Sequence, residues 1–286
     1  MEHKEYVQLM RSVSDFARRY GLETTNLYSD KNITNDDKWA ISVSWKNRLS
    51  NNEILYSYID EYKPDFDKKL KFPIVFGPRE KIEEHMKMAE KKNADYFSKK
   101  AVSSDGHILP SPEFLDLSIV KKVEYALHEA FHNTPKLFFE EERDRISKWQ
   151  YEEASAFFVG YLGAVHYFNE DGLRQQAIDH YQKNLNLGRS VNRFYNELDE
   201  ILCFRVGKDG TQLSQEIIMA EREEVLERAK KELKDNLGGP INNAFFVYYH
   251  TFFEKIDDVY EKIKDSVDFG EIIQKIHSSY FSFQKK

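Results

Sequence analysis

The chain has 286 residues, 41% of them apolar and 32% charged, with a formal net charge of −7. That length is enough to bury a sizeable core, and the acidic balance excludes the basic footprint that nucleic-acid binding leaves. One cysteine, Cys203, excludes an internal disulfide framework and points to a reducing compartment. In its apolar Ile-Leu-Cys-Phe run, Cys203 reads as a buried small hydrophobe.

In chain order, apolar residues at Tyr6, Leu9, Met10, Val13, Phe16 and Ala17 predict a helix over about 4–20, stopped by Gly21. Trp39 to Trp45 alternates and is β-branched, the pattern of a strand. Ile54–Ile59 and Leu70–Phe76 are two further strand candidates, with Pro73 marking an edge or an end. Residues 79–98 carry helical spacing, and 101–113, with Gly106, Pro110 and Pro112, is irregular. Beyond Asp116 helices are expected over about 117–133, 143–168, 171–203, 213–236, 241–264 and 270–283. The charge run over 219–236 reads as a solvated face.

These elements make a mainly α (α+β) protein, a small N-terminal β-sheet region packed on a larger helical body. One domain over 1–286 is expected, with 1–113 its α/β part and 114–286 its helical part. No window approaches the roughly 18 apolar residues of a membrane span, and the N-terminus lacks a basic, then apolar, leader. A cytoplasmic protein is therefore expected.

One cluster carries chemistry. Residues 128–132 read His-Glu-Ala-Phe-His. Helical spacing of i and i+4 places His128 and His132 on one face within reach of one ion, and Glu129 is set to act on a bound water. A catalytic zinc needs a third protein ligand and an open position. Glu153 lies 21 residues after His132, on a helix whose Ala156, Gly160 and Ala164 leave a small stripe. A small stripe lets two helices approach closely. Glu152 is the competing ligand, but its face carries Ser155, Val159 and Leu162. One Zn2+ per chain on His128, His132 and Glu153 is thus expected, making a zincin-like helix pair.

This pattern resembles the gluzincin zinc peptidases, and among them the bacterial predicted-aminopeptidase family. Tyr151-Glu152-Glu153-Ala154-Ser155-Ala156 stands where that family has Asn-Glu-x-x-Ala. Asp15-Phe16-Ala17 with Gly21-Leu22, Trp39 through Ser44, Ser103-Ser104-Asp105-Gly106 and Asn242-Asn243-Ala244 match its other motifs in the right order. Glu152 departs from the family's Asn. The resemblance implies peptide-bond hydrolysis, a peptide substrate and action at free N-termini, with Glu129 as base. It also implies a second electrophile, for which Tyr248, Tyr249 and His250 are the candidates, and a substrate edge near Ser104 and Gly106. Three other readings stand beside it: a di-iron carboxylate site, which needs a second Glu-x-x-His; a helical scaffold with a degenerate metal site; and a zinc hydrolase of a non-peptide amide.

Overall fold

The computed structural model describes residues 3–25, 27–28, 38–49, 74–101, 103–104, 107–108, 111–134, 145–169, 171–205, 211–233 and 239–282. It is mainly helical with a small antiparallel sheet. The chain divides into two compact units, each drawing on separate stretches of the sequence. The first takes residues 1–36, 101–186 and 254–286; the second takes 37–100 and 187–253.

In the first unit, helix α1 (His3–Arg19) ends as expected. Gly21 adopts φ +79°, and the Leu22 and Gly21 amides close on the carbonyls of Ala17 and Arg18. That left-handed stop is one a glycine makes without strain. The irregular stretch after Ala101 contains a short hairpin, β4 (Ser103–Ser104) against β5 (His107–Ile108), and the turn helix α3 (Pro112–Asp116). Helix α4 (Ile119–Asn133) starts at Ser118, whose hydroxyl accepts from the Lys121 amide at 3.4 Å. It stops at Thr134, whose extended backbone is what a residue before proline favours. Helix α5 (Arg145–Tyr167) packs against α4 along its length. Helices α9 (Ile256–Ile263) and α10 (Phe269–Ser282) pack on α5 in turn. The core is aromatic, with Tyr6 edge-on to Phe114 at 6.1 Å and Phe16 stacked on Phe269 at 5.6 Å.

The second unit holds a three-stranded antiparallel sheet in the order β2 (Val75–Pro78), β1 (Lys38–Ser44), β3 (Asp95–Lys100). Ile41 and Val43 pack with Ile82 and Ala89 of α2 (Arg79–Lys91). On the opposite face Phe97, which pairs with Ser42, meets Phe245 of α8 (Asn243–Phe253). The central strand is therefore buried from both sides, without a break from Ala40 to Ser44, although large and small residues alternate along it. Helix α7 (Gln215–Leu233) also belongs to this unit. Helix α6 (Asp171–Asp199) contributes to both units, the division falling after Asn186.

Several boundaries differ from expectation. The helix expected through residue 98 ends at Lys91, because Asn93 takes φ +53° and the Ala94 amide closes on the Ala89 carbonyl. Asparagine tolerates that left-handed stop, and the chain re-enters as β3. The helix expected over 241–264 is two helices, α8 and α9, broken at Glu254 and Lys255. Its apolar spacing runs on through the break, so periodicity hides it. The helix expected to residue 203 closes in one turn of π-helix, Glu200–Phe204. There Cys203 is exposed rather than buried, and its thiol donates to Asp199 at 2.9 Å. Partial burial and that carboxylate push the thiol up to about 11, against nucleophilic use. The strand expected at Ile54–Ile59 lies outside the described residues.

The charge run over 219–236 is not wholly a solvated face. Arg222 is only 4% exposed and gives Nε to Asn243 at 3.0 Å and Nη2 to Asp95 at 2.5 Å. Asn243 in turn donates its backbone N–H to Asp95 and its side-chain N–H to the carbonyls of Trp45 and Lys46. One buried guanidinium thus ties α7, α8 and β3 together. Removing it strands the Asp95 charge, at a cost of about 3–5 kcal/mol. Arg222→Ala is expected to lower unfolding free energy by that amount in denaturant titrations, while Arg228→Ala, an exposed ion pair with Glu197, changes it by about 1 kcal/mol or less.

Candidate metal centre

The centre lies within the first unit, on α4 and α5. Apolar Val120, Val123, Leu127, Ala130 and Phe131 bury one side of α4. The row Glu124, His128, His132 repeats every four residues and so shares another side. On α5, Glu153, Ala156, Gly160 and Ala164 form the small stripe, and it faces α4 closely. A Cβ placed on Gly160 would lie 2.7 Å from the Glu124 carbonyl oxygen and 3.2 Å from the His128 Cβ. Beside it, one on Gly163 would meet Leu127 at 2.6 Å. Two glycines therefore set how near the helices come.

That approach brings three ligand atoms together. His128 Nε2 and His132 Nε2 are 3.1 Å apart, and Glu153 Oε2 stands 3.5 and 3.6 Å from them. Metal bonds of about 2.0–2.1 Å in a tetrahedral shell place neighbouring ligand atoms roughly 3.3 Å apart. The triangle fits one such ion and leaves a fourth position open. His128, His132 and Glu153 could therefore hold a metal ion, as their spacing predicts.

Glu152 is not a competing ligand here. It turns to the other side of His132, accepting from Nδ1 at 2.8 Å. A carboxylate at that nitrogen holds the ring with Nε2 toward the ion and raises its basicity. Residue 152 thus positions a candidate ligand. Neither Glu152 nor Glu153 points away from the histidines, the arrangement a degenerate site would have favoured.

Burial and charge oppose one another at this centre. Glu153 is 7% exposed and Glu129 only 4%. Burial raises the Glu153 carboxyl, yet the charges and hydrogen bonds of His132 and His128 outweigh it and hold the group far below the carboxylate range. Burial lowers His132, but the charge of Glu153, hydrogen bonds from Glu152 and Glu153 and the charge of Glu129 lift it well above the usual imidazole value. Without a metal the buried carboxylates thus recruit a proton onto His132. One turn before Glu129, Tyr125 is raised by burial and by the charges of Glu124 and Glu129, so it stays a neutral hydroxyl.

A further pair went unnoticed in the sequence. Glu124, one turn before His128, accepts from His180 Nδ1 of α6 at 2.7–2.8 Å. Nothing in local spacing joins residues 56 apart, so only the packing of α6 shows it. Tyr248, Tyr249 and His250 belong to the second unit. Tyr248 and Tyr249 pack on Phe97 at 5.0 and 5.4 Å, and His250 stacks on Tyr195 at 3.6 Å while its Nδ1 bonds Asn192. Ser104 lies in the β4–β5 hairpin, and Gly106 falls outside the described residues.

No protein-family model, curated protein or solved structure matches this chain. Among the described residues, no helix is long and apolar enough to cross a membrane.

Two outcomes follow from this geometry. Gly160→Ala raises helix propensity by roughly 1 kcal/mol, but its methyl meets a backbone carbonyl that cannot rotate away. We expect net destabilisation of about 1–3 kcal/mol and weaker metal uptake, read by thermal unfolding and metal titration. Metal binding must displace the His132 proton, so affinity falls with falling pH once below that group's raised value. The expected slope is about tenfold per pH unit, with roughly one proton released on binding, measurable by calorimetry in buffers of different ionisation enthalpy.

Proposed function

We propose that this protein is a zinc-dependent hydrolase of peptide-type amide bonds. The observation that carries the reading is the convergence of His128 Nε2, His132 Nε2 and Glu153 Oε2 around an open position, with buried Glu129 between the two histidines in sequence. Two imidazoles, one carboxylate and an open position are the donor set of catalytic rather than structural zinc. When bound, zinc supplies Lewis-acid polarisation of the scissile carbonyl and a water acidified toward neutrality.

The remaining work falls to the chain. Glu129 accepts the proton of the attacking water as its oxygen adds to the carbonyl carbon. It returns that proton to the amine nitrogen as the C–N bond breaks, and the second proton of the water follows from the new carboxyl group to the amine, leaving a carboxylate and an ammonium group. Glu152 keeps His132 in the ligating orientation throughout. The low exposure of Glu129 and Glu153 excludes bulk water from the carboxylates and strengthens their action on the reacting atoms. The di-iron alternative lacks support, since no second Glu-x-x-His accompanies the first among the described residues. Preference for free N-termini follows from the family resemblance, as does a peptide rather than another amide.

Glu129→Gln tests the role of the base. Zinc per chain, by elemental analysis, is expected to stay near one, because no ligand is touched. Turnover of aminoacyl-anilides and short peptides is expected to fall by about 10²–10⁴-fold. A Glu129→Gln variant that holds zinc and cleaves at the wild-type rate sinks the assignment, and a wild type that takes up no zinc sinks the site.

A further inference from the structure

Glu124 and His180 make a carboxylate–imidazole pair beside the metal ligands. Glu124 is 5% exposed, whereas the His180 side chain keeps 23% of its surface open. Burial raises the Glu124 carboxyl, and the His180 hydrogen bond and charge pull against that rise. With Nδ1 committed to Glu124, the ring's orientation is set and its Nε2 is directed to the opposite side. Among the described residues, no hydrogen bond reaches that nitrogen. The Tyr161 ring stands 5.4 Å from the imidazole. Tyr161 is two helical turns from Glu153 on α5, with Phe157 in between at 4.4 Å from it.

The placement matters more than the pair. Glu124, His128 and His132 occupy one face of α4, so His180 is anchored about 6 Å along the helix axis from the first ligand. An extended peptide advances about 3.3–3.6 Å per residue, so that offset corresponds to one or two residues of substrate. A buried carboxylate is an expensive way to build a strut between two helices; an apolar pair of similar volume would hold them as well. A partly exposed imidazole with a fixed ring and an unengaged nitrogen is instead a hydrogen-bonding group held ready for a ligand.

We propose that His180, oriented by Glu124 and acting as the imidazolium partner of that carboxylate, is a substrate-binding residue of the metal centre, its Nε2–H donating to a carbonyl or terminal carboxylate oxygen one or two residues from the bond that is cut. This inference rests on the hydrolase reading above. It makes Glu124 a positioning residue and gives the substrate a defined reach: a ligand confined to the metal does not touch His180, and one extending a residue or two does.

The test compares two probes on the full-length, zinc-loaded protein, before and after His180→Ala. Acetohydroxamate is short enough to engage only the metal position. A phosphinic dipeptide analogue with a free carboxylate extends toward His180. Zinc content and acetohydroxamate affinity are expected to stay within about twofold of wild type, while the phosphinic dipeptide weakens by roughly 10–100-fold, the loss of one charge-assisted hydrogen bond. On a cleaved short peptide the same change raises KM more than it lowers kcat. If His180→Ala does not fold, His180→Gln carries the same comparison. Equal weakening of both probes, or no weakening of either, makes the pair a strut and overturns the proposal. So does a zinc-loaded wild type that binds acetohydroxamate and not the dipeptide. Absence of zinc from the wild type is a different failure, that of the metal centre itself.

Discussion

The distance between α4 and α5 controls the rest of the site. His128 and His132 are placed by one helix alone, because a spacing of four residues needs no tertiary help. Glu153 comes from a second helix, and its oxygen must arrive within a few tenths of an ångström. Gly160 and Gly163 make that arrival possible, since any side chain there would collide with the Glu124 carbonyl or with Leu127. A glycine inside a helix weakens it by roughly 1 kcal/mol. Here that local cost is accepted at two positions close together, for a contact that no larger residue permits.

Charge is arranged around this contact in a consistent way. Four carboxylates, Glu124, Glu129, Glu152 and Glu153, are carried by α4 and α5, and Glu124, Glu129 and Glu153 are nearly inaccessible to water. Each is matched to a group that needs it. Glu153 faces both histidines, Glu152 holds His132, Glu124 holds His180, and the charge of Glu129 acts on His132. Buried carboxylates without cations would be costly. The strong upward shift of His132 and the downward shift of Glu153 express the same demand, for a positive charge at the centre of the triangle. A proton meets it in part, and a metal ion held by the three side chains would meet it as well. The second unit uses the same logic for structure rather than chemistry, with Arg222 neutralising Asp95 at the junction of α7, α8 and β3.

Much of this is legible in the sequence because it is local. The Gly21 stop of α1 follows from glycine geometry within a few residues, and α4 falls where helical spacing over about 117–133 places it. The ligands are legible for a related reason: the His-Glu-x-x-His spacing and the small stripe on α5 are both helical periodicities. Two kinds of feature are hidden. Breaks inside an unbroken apolar rhythm, such as Glu254–Lys255, leave no trace in periodicity. Asn93, with neither glycine nor proline beside it, marks a stop that only its hydrogen bonds reveal.

The sequence by itself determined which residues could serve as ligands, the helices that carry them and the mainly helical class, since each depends on interactions within a turn or two of chain. Tertiary structure decided how those residues are partnered. It turned Glu152 from rival ligand into the partner of His132, drew His180 to Glu124, buried Arg222 in a run that reads as solvent-facing, and exposed Cys203 in a run that reads as core. Most of those outcomes depend on a neighbour far away in sequence. Such contacts are set by the packing of whole helices and strands, which no local pattern encodes.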